Sequence, residues 1–166
     1  MLNKIIIGID FDGTCVTHEF PKIGMEIGAS YVLKKMADNK CVFVLNTMRS
    51  GVQLQEAVAW FEKKGIPLYG INNTPGQDKW TQSPKVYAHI YIDDAGIGCP
   101  LIKPYHAFHS SGRPFVDWFA MINLLKEKQV LPPNFALDAE SEAAMKQEIL
   151  FAMEPINFYQ DIWKET

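Results

Sequence analysis

Residues 4–14 read Lys-Ile-Ile-Ile-Gly-Ile-Asp-Phe-Asp-Gly-Thr. The apolar run from Lys4 to Ile9 does not alternate, so it fits a strand covered on both faces, as in a parallel sheet. Asp10-Phe11-Asp12-Gly13 stops that strand with a turn, and Gly13 permits the sharp exit. Side chains alternate along a strand, so Asp10 and Asp12, separated by one residue, lean to the same side.

Downstream, segments of strand and helix character alternate. Residues 16 to 28 are irregular, with Pro21, Gly24 and Gly28. Ala29–Asp38 carries Val32, Leu33 and Met36 on one helical face. Cys41–Leu45 is a second buried strand and ends at Asn46-Thr47. Ser50 and Gln53 match a capping box; Leu54, Ala57, Val58 and Phe61 then repeat at helical spacing, and Gly65 closes the helix. Ile66–Ile71 and Val86–Ile92 are predicted as third and fourth strands, separated by a polar loop, and Asp93-Asp94 follows the fourth. Beyond a Gly/Pro-rich loop, helices are predicted over Phe115–Lys128 and Asp138–Met153, with Pro132-Pro133 between them. This order predicts an α/β fold, a Rossmann-like parallel sheet with helices on both faces. Residues 1–130 are expected to form the core. Residues 131–166 are expected to be a C-terminal helical extension docked on the core or on a partner subunit, because its tail carries Ile156, Phe158, Tyr159, Ile162 and Trp163.

In an open parallel sheet, ligands bind in the crevice beyond the carboxyl ends of the strands. Asp10 and Asp12, Thr47, and Asp93 and Asp94 all fall at such ends. Carboxylates gathered in one crevice repel each other and any phosphate, and a hard dication removes that repulsion. Mg²⁺ suits an all-oxygen set and would polarise a phosphorus centre. Zinc would want His or Cys ligands, which this set lacks. An acidic pair two residues apart suits two-step phosphoryl transfer. One carboxylate attacks and forms an acyl phosphate; the other protonates the leaving oxygen and later activates water. The Thr47 hydroxyl is placed to hold a phosphoryl oxygen, and the helix starting near Ser50 offers backbone N–H groups to the same anion. Arg49 or Lys85 is available to neutralise charge, with Lys79 nearby in the same loop region as Lys85. Thr47, Arg49 and the turn at Gly13 are the candidate substrate contacts. His18, Glu19 and Phe20 fall where a flap could cover the site, whereas His106 and His109 read as structural or surface residues.

Composition bounds these readings. Of 166 residues, 48% are hydrophobic, which is globular rather than disordered. The net charge of −3 argues against a large polyanionic partner such as nucleic acid. Cys15, Cys41 and Cys99 are too few and too scattered for a disulfide framework, so the expectation is reduced thiols in the cytoplasm. No apolar stretch approaches the ~20 residues of a membrane-spanning helix, so no membrane association is expected.

Asp10-Phe11-Asp12-Gly13-Thr14 resembles the DxDGT signature of the haloacid dehalogenase superfamily. Thr47 after an apolar strand resembles its second motif, Lys85 its third, and Asp93-Asp94 after Tyr91-Ile92 its fourth. The motifs occur in the family's order over roughly residues 4 to 100. The resemblance implies a Mg²⁺-dependent phosphatase with Asp10 as nucleophile and Asp12 as general acid/base. It implies metal bound by Asp10, the Asp12 backbone carbonyl and Asp93, with Asp94 beside them or joining directly. Family dehalogenases lack the second aspartate, so Asp12 favours phosphate esters over carbon–halogen bonds. Neither insertion site, around Cys15 to Gly28 or Asn72 to Pro84, is long enough for a cap domain, so the chain is similar to the small capless members. Without a cap, a larger substrate or a second subunit in a homo-oligomer would complete the pocket.

Other functions fit part of the pattern. A mutase would use the same phosphate groups but needs a lid to exclude water. A signalling receiver also phosphorylates an aspartate, but its adjacent acidic pair comes first and its lysine last, the reverse of the order here. A metal-binding scaffold without turnover would carry the same acidic residues. The leading expectation is therefore hydrolysis of a phosphorylated substrate.

Overall fold

The computed structural model describes residues 4–104 and 111–153. His106, His109 and the apolar tail from Ile156 to Trp163 lie outside the described residues. Four parallel strands form the main sheet in the order β3-β2-β1-β4: β1 (Ile5–Ile9), β2 (Cys41–Leu45), β3 (Leu68–Ile71) and β4 (Ile90–Ile92). Ile5 pairs with Cys41 and Ile9 with Leu45 on one side of β1, and Ile7 to Ile9 pair with Ile90 to Ile92 on the other. The central place of β1 explains its unbroken apolar run. Ile7 and Ile9 are fully buried, each stabilising the fold by roughly 2–3 kcal/mol.

α1 (Ala29–Asp38) buries Val32, Leu33 and Met36, the face its periodicity predicts. α2 (Gly51–Lys63) buries Ala57, Trp60 and Phe61. Ser50 occupies its N-cap, but the side chain makes no cap hydrogen bond, so the expected capping box is not formed. Gly65 ends the helix at a φ of +68°.

Two strands are shorter than their sequence predicts. Pro67 has no N–H for a ladder, and Ile66 N–H instead closes on Phe61 O at 2.9 Å, so β3 begins at Leu68. Before β4, the Tyr87 N–H goes to the Gln77 side chain at 2.7 Å, and Ile6 N–H goes to His89 Nδ1 at 2.8 Å. Side chains thus take up the Tyr87 and Ile6 N–H groups, while His89 N–H still donates to Ile6 O at 2.8 Å, and β4 keeps three residues.

The Gly/Pro-rich region holds a small antiparallel pair that the sequence does not announce, β5 (Leu101–Ile102) with β6 (Phe115–Val116). The helix expected from Phe115 starts later, as α3 (Trp118–Glu127), because Asp117 caps it by accepting from the N–H groups of Phe119 and Ala120. α4 (Ala139–Met153) contributes Met145, Ile149 and Ala152 to the same apolar cluster as Val130, Leu131 and the sheet. Within the described residues, 131–153 thus share one apolar core with the sheet. No helix of the described residues is long and apolar enough to cross a membrane.

Candidate functional site

Hydrogen bonds past the strand ends arrange the C-terminal edge of the sheet. Asp10 N–H donates to Ile92 O (3.0 Å), Asn46 N–H to Ile9 O (2.8 Å) and Asn72 N–H to Leu45 O (2.7 Å). Asp10, Thr47, Asp93 and Asp94 are thereby carried to one edge. Phe11, between the two acids of the first turn, is fully buried, with its ring centroid 5.7 Å from Trp60 and 6.1 Å from Phe61. Anchoring Phe11 in the core leaves its neighbours Asp10 and Asp12 facing the crevice. Both line one open cavity of about 440 Å³ with His18, Phe20, Thr47, Met48, Arg49, Asp93, Asp94 and Arg113.

The carboxylates of Asp10, Asp93 and Asp94 each offer an oxygen within 4.8 Å of the others. Such an all-oxygen set fits a hard dication such as Mg²⁺. Burial pushes the Asp10 carboxyl up to about 7 from an ordinary 3.8, and the charges of Asp93 and Asp94 push the same way, against the Phe11 N–H and the Thr14 hydroxyl. A cation held there would reverse the charge repulsion in this shift. Thr14 links the two acidic turns: its hydroxyl donates to Asp10 Oδ2 at 3.1 Å and accepts from Asp94 N–H at 3.1 Å. His18 Nε2 lies 3.0 Å from Asp94 Oδ2, so the loop after the first turn touches the cluster. Gly13 adopts a φ of +82° there.

The Asp12 side chain stands outside the three-carboxylate group. Its two oxygens accept from Arg49, Oδ2 from Nε and Oδ1 from Nη2, both at 2.7 Å. Arg49 is 2% exposed and also donates to the carbonyls of Pro21 (3.2 Å) and Lys22 (2.7 Å). Arg49, expected as a substrate contact, is a buried tie between Asp12 and the loop before α1.

Thr47 stays half-buried in the cavity, its hydroxyl accepting from Arg49 N–H at 3.2 Å. Asn72, at a φ of +48°, brackets the Thr47 backbone: its carboxamide accepts from Thr47 N–H (2.8 Å) and donates to Thr47 O (2.9 Å). Lys85 does not line the cavity. It lies over the Tyr91 ring at 5.4 Å, in an adjoining hollow shared with Asn46 and Asp93. Lys79 sits in the 3-10 turn Gln77–Lys79 and does not line the cavity either. Asn72 and Arg113 escaped the sequence reading. An asparagine just past a strand end, a residue type that tolerates positive φ, was the available signal for the first; nothing local marks the second.

An α/β protein with a sheet-edge acidic pocket is thus the class that fold and site define. A solved structure, the conserved protein coded by a locus of Bacteroides thetaiotaomicron, is similar: 32% identity, 76% of this chain and 93% of that chain covered, TM-score 0.60. The chain belongs to the family of that conserved protein. No protein-family model matches the chain, and no curated protein does.

Proposed function

We propose that the protein is a Mg²⁺-dependent phosphohydrolase of the haloacid dehalogenase type, without a cap domain, cleaving a phosphate monoester through an aspartyl-phosphate. The observation that carries this reading is the meeting of Asp10, Asp93 and Asp94 from two strand ends within 4.8 Å, in the cavity that Thr47 also lines. Mg²⁺ held by these carboxylates would neutralise the phosphate and make phosphorus more electrophilic. Asp10, fixed by Thr14, attacks phosphorus and becomes the acyl phosphate. The Thr47 hydroxyl, which accepts from Arg49 N–H, still has its own hydrogen to donate to a phosphoryl oxygen. Asp12 protonates the leaving oxygen and then takes a proton from water. To do so it turns one oxygen away from Arg49 and takes up its first proton from solvent.

The openness of the cavity favours hydrolysis over a mutase reaction, since nothing among the described residues shuts water out. A large substrate or a second copy of the chain would close it. Cys15, Cys41 and Cys99 are free thiols, which supports a reducing compartment such as the cytoplasm. The test is a panel of nucleotide, sugar and aryl phosphates with Mg²⁺, run beside Asp10→Asn. Hydrolysis by the wild type that Asp10→Asn abolishes is expected. A wild type inert across the panel would make the site a metal-binding module without turnover.

A further inference from the structure

With Arg49 committed to Asp12 and Lys85 outside the cavity, Arg113 is the remaining permanent cation among the described residues that line it. Among the described residues, no hydrogen bond or ion pair engages its guanidinium. The backbone nonetheless fixes its place. Three residues on, Val116 N–H donates to Gly13 O at 2.9 Å, and Trp118 Nε1 donates to Thr14 O at 2.8 Å. The segment bearing Arg113 is bonded directly to the turn that carries the acids.

Depth separates Arg113 from the reacting end. Arg113 is exposed whereas Asp10 is not, and Phe20 and Met48, 62% and 98% exposed, line the same cavity. The mouth therefore offers two apolar side chains and one free guanidinium. A guanidinium fork matches an oxyanion in geometry and charge, and an uncommitted one forfeits no existing pair on binding. Three acids below it, set against a dication, leave no surplus positive charge for a second anion elsewhere in the lining.

We propose that Arg113 determines substrate choice: it binds a second oxyanion, carboxylate or phosphate, on a phosphomonoester whose apolar body rests on Phe20 and Met48. For turnover this rests on the phosphohydrolase reading; for binding it does not.

The test measures binding of three non-hydrolysable probes to the full chain with Mg²⁺ by calorimetry: phenylphosphonate, 4-carboxyphenylphosphonate and 1,4-benzenediphosphonate. The wild type is expected to bind at least one doubly acidic probe about 10- to 100-fold more tightly than phenylphosphonate. Which one gains more tells carboxylate from phosphate. The gain disappears in Arg113→Ala and Arg113→Gln, with phenylphosphonate affinity kept within about threefold and the melting temperature unchanged. Arg113→Lys keeps part of it. No gain in the wild type, a gain that survives Arg113→Ala, or an equal loss for phenylphosphonate would each overturn the assignment. Absence of aryl phosphate turnover alongside intact probe discrimination would defeat the phosphohydrolase reading alone.

Discussion

Arg49 and Asp12, 37 residues apart in sequence, meet fork to fork with both N–O distances at 2.7 Å. The guanidinium also lies between two aromatic rings, 5.1 Å from the Phe11 centroid and 5.4 Å from that of Phe20. One side chain therefore joins the acidic turn, the loop at Pro21-Lys22 and the start of α2.

Removing that side chain strands its partners. Arg49→Ala leaves the Asp12 carboxylate and two backbone carbonyls without donors and is expected to cost roughly 2–4 kcal/mol, somewhat less than breaking a fully buried pair, since Asp12 keeps some water contact. Arg49→Lys keeps the charge but not the fork and falls between. Urea denaturation measures both; an Arg49→Ala loss below about 0.5 kcal/mol would show that the pair is not held in solution.

Asp10 makes metal-free stability depend on pH. Burial first, and then Asp93 and Asp94, hold its carboxyl at about 7 against 3.8, so the folded chain keeps a proton that the unfolded chain has already lost between those values. Stability then falls as pH rises from about 4 to about 7, by at most ~4 kcal/mol from this group. Asp10→Asn removes this slope. In chelator it should be more stable than wild type at about pH 8 and gain far less at about pH 5. An equal difference at both pH values would contradict the assignment.

Mg²⁺ should offset the same repulsion. At a free concentration tenfold above its dissociation constant, stabilisation of about 1.4 kcal/mol raises the melting temperature by about 3–6 °C. Asp93→Asn and Asp94→Asn should shrink that rise, and Asp12→Asn should leave most of it, because the Asp12 carboxylate faces Arg49. A melting curve indifferent to Mg²⁺ would argue against a cation in this cluster.

Gly13 sets the shape of the turn. At its φ of +82° a Cβ would lie 2.6 Å from both Asp94 Oδ2 and His18 Nε2, and closer still to His18 Cδ2. Gly13→Ala is expected to cost roughly 2–4 kcal/mol from backbone strain and crowding combined. It should also blunt the Mg²⁺-induced melting shift by displacing Asp94. Unchanged stability and metal response would refute the crowding.

Much of this architecture is legible along the chain because it is local. The apolar runs at Ile5–Ile9 and Cys41–Leu45 and the helical faces of α1 and α2 need only neighbouring residues to be recognised. The convergence of Asp10, Asp93 and Asp94 follows once the strands are taken as parallel. What escapes depends on distant partners. Nothing near Arg49 says that it will turn onto Asp12, and nothing near Lys85 says that its carbonyl will accept from the Gln77 side chain at 2.6 Å and its ammonium lie over Tyr91 in a separate hollow. β5 and β6 have two residues each and no period to detect. Ser50 has the spacing of a cap, but spacing does not orient its hydroxyl.

The carbonyls of Gly13 and Thr14 find their donors at Val116 and Trp118, about a hundred positions later. On the ribosome, all four strands of the main sheet can therefore be outside the exit tunnel while the acidic turn still borrows water for those two oxygens. Assembly of the acidic corner waits for α3, and the order of synthesis keeps the nascent protein from owning a finished pocket before its own scaffold is complete.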